Sequence, residues 1–218
     1  MLQKSTLEFL KALKKNNNRD WFGKNRAKYE SALEDFTVFV NKLIAELSKQ
    51  DASLKGVTAK ESIFRIYRDV RFSKNKDPYK TNFGAVVCQG GRKSDRACFY
   101  IQVEPGNSFI AGGRWMPSTE HLKDIRKDIF YHLKDFKKIL SDKSFKKFFK
   151  ELSGEKLKLA PKGFDKDFSD IELLKYTSYI VDTPVNDKLL TGKSLIKQCA
   201  VVHKAMLPLL NFLNKATN

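Results

Sequence analysis

Apolar residues fall at steps of three and four through the first 50 positions and change to alternation near Ser62, so a helical region precedes a sheet. Leu7, Leu10 and Leu13 make a short helical stripe, and Ser5 with Glu8 three residues on has the spacing of a capping box that opens it. Asn16, Asn17 and Asn18 end that helix. A longer one is expected from Asn18 or Arg19, with Phe22, Tyr29, Leu33, Phe36, Val40, Leu43, Ile44 and Leu47 on its core-facing side. After Ser62, Phe64 and Ile66 can share one strand face, and the Asp77-Pro78 step forces an extended or turning backbone before a strand from Phe83 to Cys88. Gly90, Gly91 and Ser94 supply a loop, and residues 97–104 return as a strand. Pro105, Gly106 and Asn107 then turn tightly into a strand over 108–113, which completes a three-strand meander.

Ser118 or Thr119 is the expected cap of a helix whose stripe is Leu122, Ile125, Ile129 and Leu133, and further helices run to about Leu152. Gly154, Pro161 and Gly163 mark a long ordered loop, and 177–183 is a further candidate strand. A final helix from about Ser194 carries Ile196, Cys199, Val202, Met206, Leu210 and Leu213, with a kink expected at Pro208. The expected class is α+β: a small antiparallel sheet, a meander, packed with amino-terminal and carboxy-terminal helices. One domain is expected over 1–218, helical in 1–50, sheet-rich in 60–115, helical in 118–152, a loop in 153–170, and a strand with the terminal helix in 176–214.

Composition narrows the classes. A chain with 41% hydrophobic residues is not disordered, and no apolar run approaches the ~20 residues of a membrane helix. The first residues are amphipathic rather than an apolar leader, so a cytoplasmic location without a membrane partner is expected. Cys88, Cys98 and Cys199 form no CxxC pair and leave one unpaired, which suits a reducing compartment; they read as small buried apolar residues, although Cys88 and Cys98 can face each other across a hairpin. The formal charge of +17 attracts polyanions, yet only nine of the 42 bases are arginine. The lysines of 134–150 read as the solvated side of helices whose other side carries Phe136, Ile139, Leu140, Phe145, Phe148 and Phe149.

The densest chemistry lies in RIYRDVRFSKNKDPYKT, Arg65 to Thr81, where Arg65, Arg68, Arg71, Lys74, Lys76 and Lys80 stand against Asp69 and Asp77. In a strand Arg65 and Arg71 share a face; in a helix all three arginines fan over one side. Either geometry lets guanidinium forks bind phosphate or carboxylate at two points, with Lys80 a flexible point charge. Gly112, Gly113, Arg114 and Trp115 form a second cluster, where glycines admit close backbone approach just before a helix amino terminus. Tyr79 and Trp115 are the expected stacking surfaces. The competing reading is a turn in which Asp69 and Asp77 neutralise the arginines and both aromatics pack.

Other signals carry less. Asp69, between Arg68 and Arg71, is held ionised and is a poor general acid, and no spacing rule makes a metal site of Asp69, Asp77 and Glu104. His121 and His132 stand about 16 Å apart along a helix at ~1.5 Å per residue, too far to share an ion. TGKS, Thr191 to Ser194, ends like a P-loop, but Asp187 occupies the position of the required first glycine. No nucleophile or acid–base pair stands out, so no catalytic residue, metal or cofactor is assigned and no enzyme activity is asserted.

With that run, the upstream NNNRDWFGKNRAKYE, the downstream GGRWMP and the closing PLLNFLN, the chain resembles, essentially end to end, the family of domain of unknown function 2461. The resemblance implies a conserved bacterial type of soluble protein and brings no activity or catalytic residue with it. Three functions follow for testing: a pocket for a phosphorylated or other anionic small ligand, lined by Arg65, Arg68, Arg71, Lys80 and Arg114; a nucleic-acid binding module in which the 134–150 lysines extend the basic surface; and a protein-interaction scaffold.

Overall fold

A computed structural model describes residues 1–217. Ten helices and four strands follow in the order α1 (Lys4–Lys15), α2 (Arg19–Lys24), α3 (Arg26–Leu47), α4 (Ala59–Ser62), β1 (Phe83–Val87), β2 (Cys98–Val103), β3 (Ser108–Arg114), α5 (Thr119–Tyr131), α6 (Leu133–Ser141), α7 (Lys143–Phe148), α8 (Ile171–Leu174), β4 (Tyr179–Val185), α9 (Asp187–Leu190) and α10 (Leu195–Lys215) among the described residues. The sheet is antiparallel in the order β1-β2-β3-β4, so the class is α+β with helices at both ends of the chain. The 177–183 strand signal thus becomes a fourth strand beside β3. The chain divides into two compact units, one of residues 1–94, 100–110 and 184–201, the other of residues 95–99, 111–183 and 202–218.

In the first unit, α1 packs on α3 and α3 on β1. Leu10, Leu13, Phe36, Val40, Leu43, Leu47, Phe83, Ala85 and Val87 are buried there, which is the helical stripe and strand alternation read from the sequence. Three local expectations are corrected. Ser5 lies inside α1 rather than capping it: the cap is Gln3, and the Asp35 carboxylate, 32 positions away, accepts from the Gln3 amide at 2.9 Å and the Thr6 hydroxyl at 2.6 Å. The single long helix from Asn18 breaks at Asn25, whose side-chain amide donates to the Trp21 carbonyl and separates α2 from α3. Before β1 the chain also forms α4, opened by a reciprocal Thr58–Glu61 capping box.

In the second unit, Ile125, Ile129, Phe136, Phe145, Phe149 and Tyr179 are buried, while the lysines of 134–150 are exposed. Ser118 caps α5 by accepting from the His121 amide, and the expected stripe through Leu133 is interrupted at His132, where α6 begins. In the 184–201 stretch, which belongs to the first unit and contains Cys199, Asn186 caps α9 and Thr191 ends it, so TGKS joins two helices. Pro208 stands inside α10, on its exposed side. Cys199 is a free, buried thiol pushed up to about 12 by its burial and is chemically quiet. Cys88 and Cys98 are buried, as expected, and each is disulfide-bonded rather than a free thiol. Among the described residues no helix is long and apolar enough to cross a membrane.

Candidate functional site

The basic run is neither a regular strand nor a helix. It forms an irregular hairpin that pairs backward through the bridges Ile63 to Ala85 and Tyr67 to Tyr79, with the Arg68 amide donating to the Pro78 carbonyl and the Lys80 amide to the Ile66 carbonyl. Its base is anchored twice. Phe22 of α2 stacks on Tyr79 at 4.0 Å, and Asn17 clamps the Tyr79 backbone, donating to its carbonyl at 2.9 Å and accepting from its amide at 3.1 Å. Tyr79 is therefore buried, at 6% exposure, and serves as a wedge between hairpin and helix. Tyr67 beside it is open.

The cations divide by partner. Arg68 is spent inside the hairpin, donating to the Asp77 carbonyl at 3.0 Å and the Ser73 hydroxyl at 3.2 Å. Arg71 forks onto Asp69 at 2.7 and 3.0 Å, and these hydrogen bonds hold the Asp69 carboxyl below its ordinary value, as the sequence led one to expect. Both groups are exposed, so the pair adds little to stability. Arg65 and Lys80 make no ion pair among the described residues. Lys80 lies over the Phe64 ring at 5.4 Å, and its ammonium is held below its ordinary value by burial and by the like charge of Arg65.

Phe64 leads onto the sheet. Along β2 the alternation buries Phe99, Ile101 and Val103 and leaves Tyr100 and Gln102 half-buried on the opposite face; Phe109 of β3 is half-buried too. Phe64 and Tyr100 meet edge to face at 6.2 Å, and Tyr100 and Phe109 lie 5.8 Å apart. Gly84 makes room for this row, since a Cβ there would come 2.5 Å from the Tyr100 hydroxyl. The Tyr100 hydroxyl donates to Gln102, which donates to Glu104; the buried Glu104 carboxylate also accepts from Thr81 and Asn107 and lies 3.5 Å from Lys14. The face thus offers a row of rings with two cations at its edge, Lys80 with no carboxylate beside it and Arg65 within the electrostatic reach of Asp69.

Burial raises the Tyr100 phenol from 10.0 to about 12, with Glu104 adding to the shift. The fold favours the neutral phenol, so its contribution to stability is complete below pH 10 and is lost as pH rises through about 12. Tyr100→Phe is expected to remove that part of the alkaline destabilisation. Unfolding midpoints measured across this range in the two proteins check it; equal slopes would show an unburied phenol.

The second cluster stands in the other unit. Gly112 and Gly113 have packing reasons to lack side chains: a Cβ on Gly112 would collide with Met206, and one on Gly113 with the Tyr179 carbonyl. Arg114 is 2% exposed, donates to His121 Nδ1 at 2.6 Å and lies 3.5 Å from the Asp95 carboxylate. Burial holds the guanidinium below its ordinary value, with Asp95 acting in the opposite sense, and its Nε has no hydrogen-bond partner. That contact requires the His121 proton on Nε2. Trp115 is 68% exposed and follows the cluster into a positive-φ turn at Met116. His121 and Asp95 had no motif to announce them.

A groove of about 530 Å³ in the first unit is lined by Glu8, Phe9, Trp21, Asn25 and Lys28 among others and contains none of the expected anion contacts. One acid and one base leave it without the net charge an anion requires.

A four-stranded antiparallel sheet with terminal helices, carrying a basic hairpin beside a row of rings, defines the class of this protein. The chain belongs to the family described as conserved hypothetical protein (DUF2461), whose sequence profile matches residues 5–212. No curated protein and no solved structure matches the chain.

Proposed function

We propose that this protein binds a phosphorylated or other anionic small ligand at the Arg65–Lys80 pair. The observation that supports this most is Lys80: a half-buried ammonium with no carboxylate, beside a second cation. Lys80 is half-buried and Arg65 is an exposed like charge near it, so an anion binding beside them relieves the ammonium. Arg65 supplies a planar fork for two oxygens, Lys80 a point charge, and the Phe64–Tyr100–Phe109 row an apolar surface for the rest of the ligand. Arg71 can join by exchanging Asp69 for the ligand at small cost, because that pair is exposed. Arg68 and Tyr79 act as positioning residues that shape the hairpin. The Arg114 cluster, with Gly112, Gly113 and Trp115, stays in the proposal as a separate anion contact, supported by its unpartnered buried Nε.

Thermal unfolding with inorganic phosphate, sugar phosphates and nucleotides tests the reading, because a ligand that binds only the folded state raises the midpoint. The wild type is expected to shift upward and Arg65→Ala not to respond. Lys80→Met is expected to lose the response while unfolding at an equal or higher temperature without ligand, since it removes an unpaired charge and keeps the aliphatic stem. A wild type indifferent to every phosphorylated compound would sink the proposal.

A further inference from the structure

We infer that the natural anion carries nucleobases: the hairpin and ring row form a binding face for single-stranded nucleic acid. This rests on the anion reading above. The observation that carries it further is Phe72, 97% exposed at the turn of the hairpin, with the Arg71 guanidinium 5.8 Å from its ring centre. Such a ring makes almost no contact within its own chain. Lys74 and Lys76 follow it in the chain and are exposed.

The pairing of ring with cation recurs along the segment, as Phe64-Arg65, Tyr67-Arg68, Arg71-Phe72 and Tyr79-Lys80. Tyr79 is buried, but Phe64 is half-buried against Tyr100 and Tyr67 is 44% exposed beside Tyr79, so with Phe72 three accessible rings are spread along the hairpin. Phe72 stands eight residue steps beyond Phe64, a span of at most about 26 Å at ~3.3 Å per extended residue, longer than a single phosphorylated metabolite needs. Repeated aromatic faces set among bases match a strand whose unpaired bases stack while its phosphates track the cations. A duplex hides its base faces. An anionic bilayer would be met by several apolar residues gathered at the tip, whereas Val70 is the one apolar residue among the neighbours Asp69, Val70, Arg71, Ser73, Lys74 and Asn75 of Phe72.

Fluorescence anisotropy with a labelled oligothymidylate of about 12 nucleotides, a length within the range single-strand modules cover, tests the inference. The companions are an abasic strand of equal length, inorganic phosphate followed by thermal shift, and vesicles containing phosphatidylserine. The expected results are binding about tenfold tighter to the oligothymidylate than to the abasic strand, about tenfold weaker binding by Phe72→Ala, and recovery in Phe72→Trp. Affinity should fall with salt at a logarithmic slope of about −0.7 for each phosphate engaged. Equal affinity for the two strands, unchanged by Phe72→Ala, would overturn the nucleobase inference and leave the anion site standing. Failure of oligonucleotide and phosphate alike would remove both. Phe72-dependent binding to the vesicles without binding to the strand would replace nucleic acid by a membrane surface.

Discussion

Gly113→Ala is expected to lower the free energy of unfolding by about 3 kcal/mol, from backbone strain and overpacking of roughly 1–3 kcal/mol each. Gly113 has φ 125°, which side chains rarely adopt, and an added Cβ would run into the Tyr179 carbonyl and stand 2.8 Å from the Ile180 Cα. These neighbours are main chain of β4, so neither can rotate aside. For a chain of this size the loss corresponds to a midpoint shift of roughly 10 °C. Gly106→Ala is the control, because Gly106 also has positive φ, 79°, but has nothing within 4 Å of the added atom. It should cost about 1 kcal/mol, the conformational part alone. Equal losses in the two variants would show that the strands do not approach so closely at Gly113.

Phe22→Ala is expected to cost about 4 kcal/mol and to remove the phosphate response together with the stability. Phe22 is 3% exposed, stacks on Tyr79 at 4.0 Å and has Tyr29 at 5.0 Å and Tyr67 at 6.2 Å. Its loss opens a cavity under the hairpin base and frees Lys80, the residue after Tyr79. Arg65→Ala should lose the response with the fold intact. Measuring midpoint and phosphate shift in both variants separates support from contact: a Phe22→Ala protein that still responds fully would show that the hairpin holds its shape without α2.

The regular elements were legible where burial is one-sided. The stripes of α1 and α3 and the alternation of β2 and β3 each report a surface that meets a core, and the Pro105-Gly106 turn is fixed by dihedral preference, with Gly106 at φ 79° and the Asn107 amide donating to the Glu104 carbonyl at 2.8 Å. Side chains reaching across the sequence were not legible: Asp35 in place of a Ser5 cap, Asn17 on Tyr79 and His121 under Arg114 are pairings 7 to 62 positions apart that leave no periodic trace. Charge in the hairpin was visible as composition, but its division was not. Which arginine is spent on a carbonyl, a hydroxyl or an aspartate depends on how the turn closes, and Phe72 differs from a core phenylalanine only once the backbone has carried it outward.

Asn17 imitates a peptide group, presenting one donor and one acceptor to Tyr79 as a neighbouring strand would. The bend between α1 and α2 thereby becomes a rung of the ladder below the hairpin. The cation pair at the base takes its bearing from the helices, whereas the turn around Phe72 is closed on itself, by Arg68 on the Asp77 carbonyl and the Ser73 hydroxyl and by Lys76 on the Val70 carbonyl.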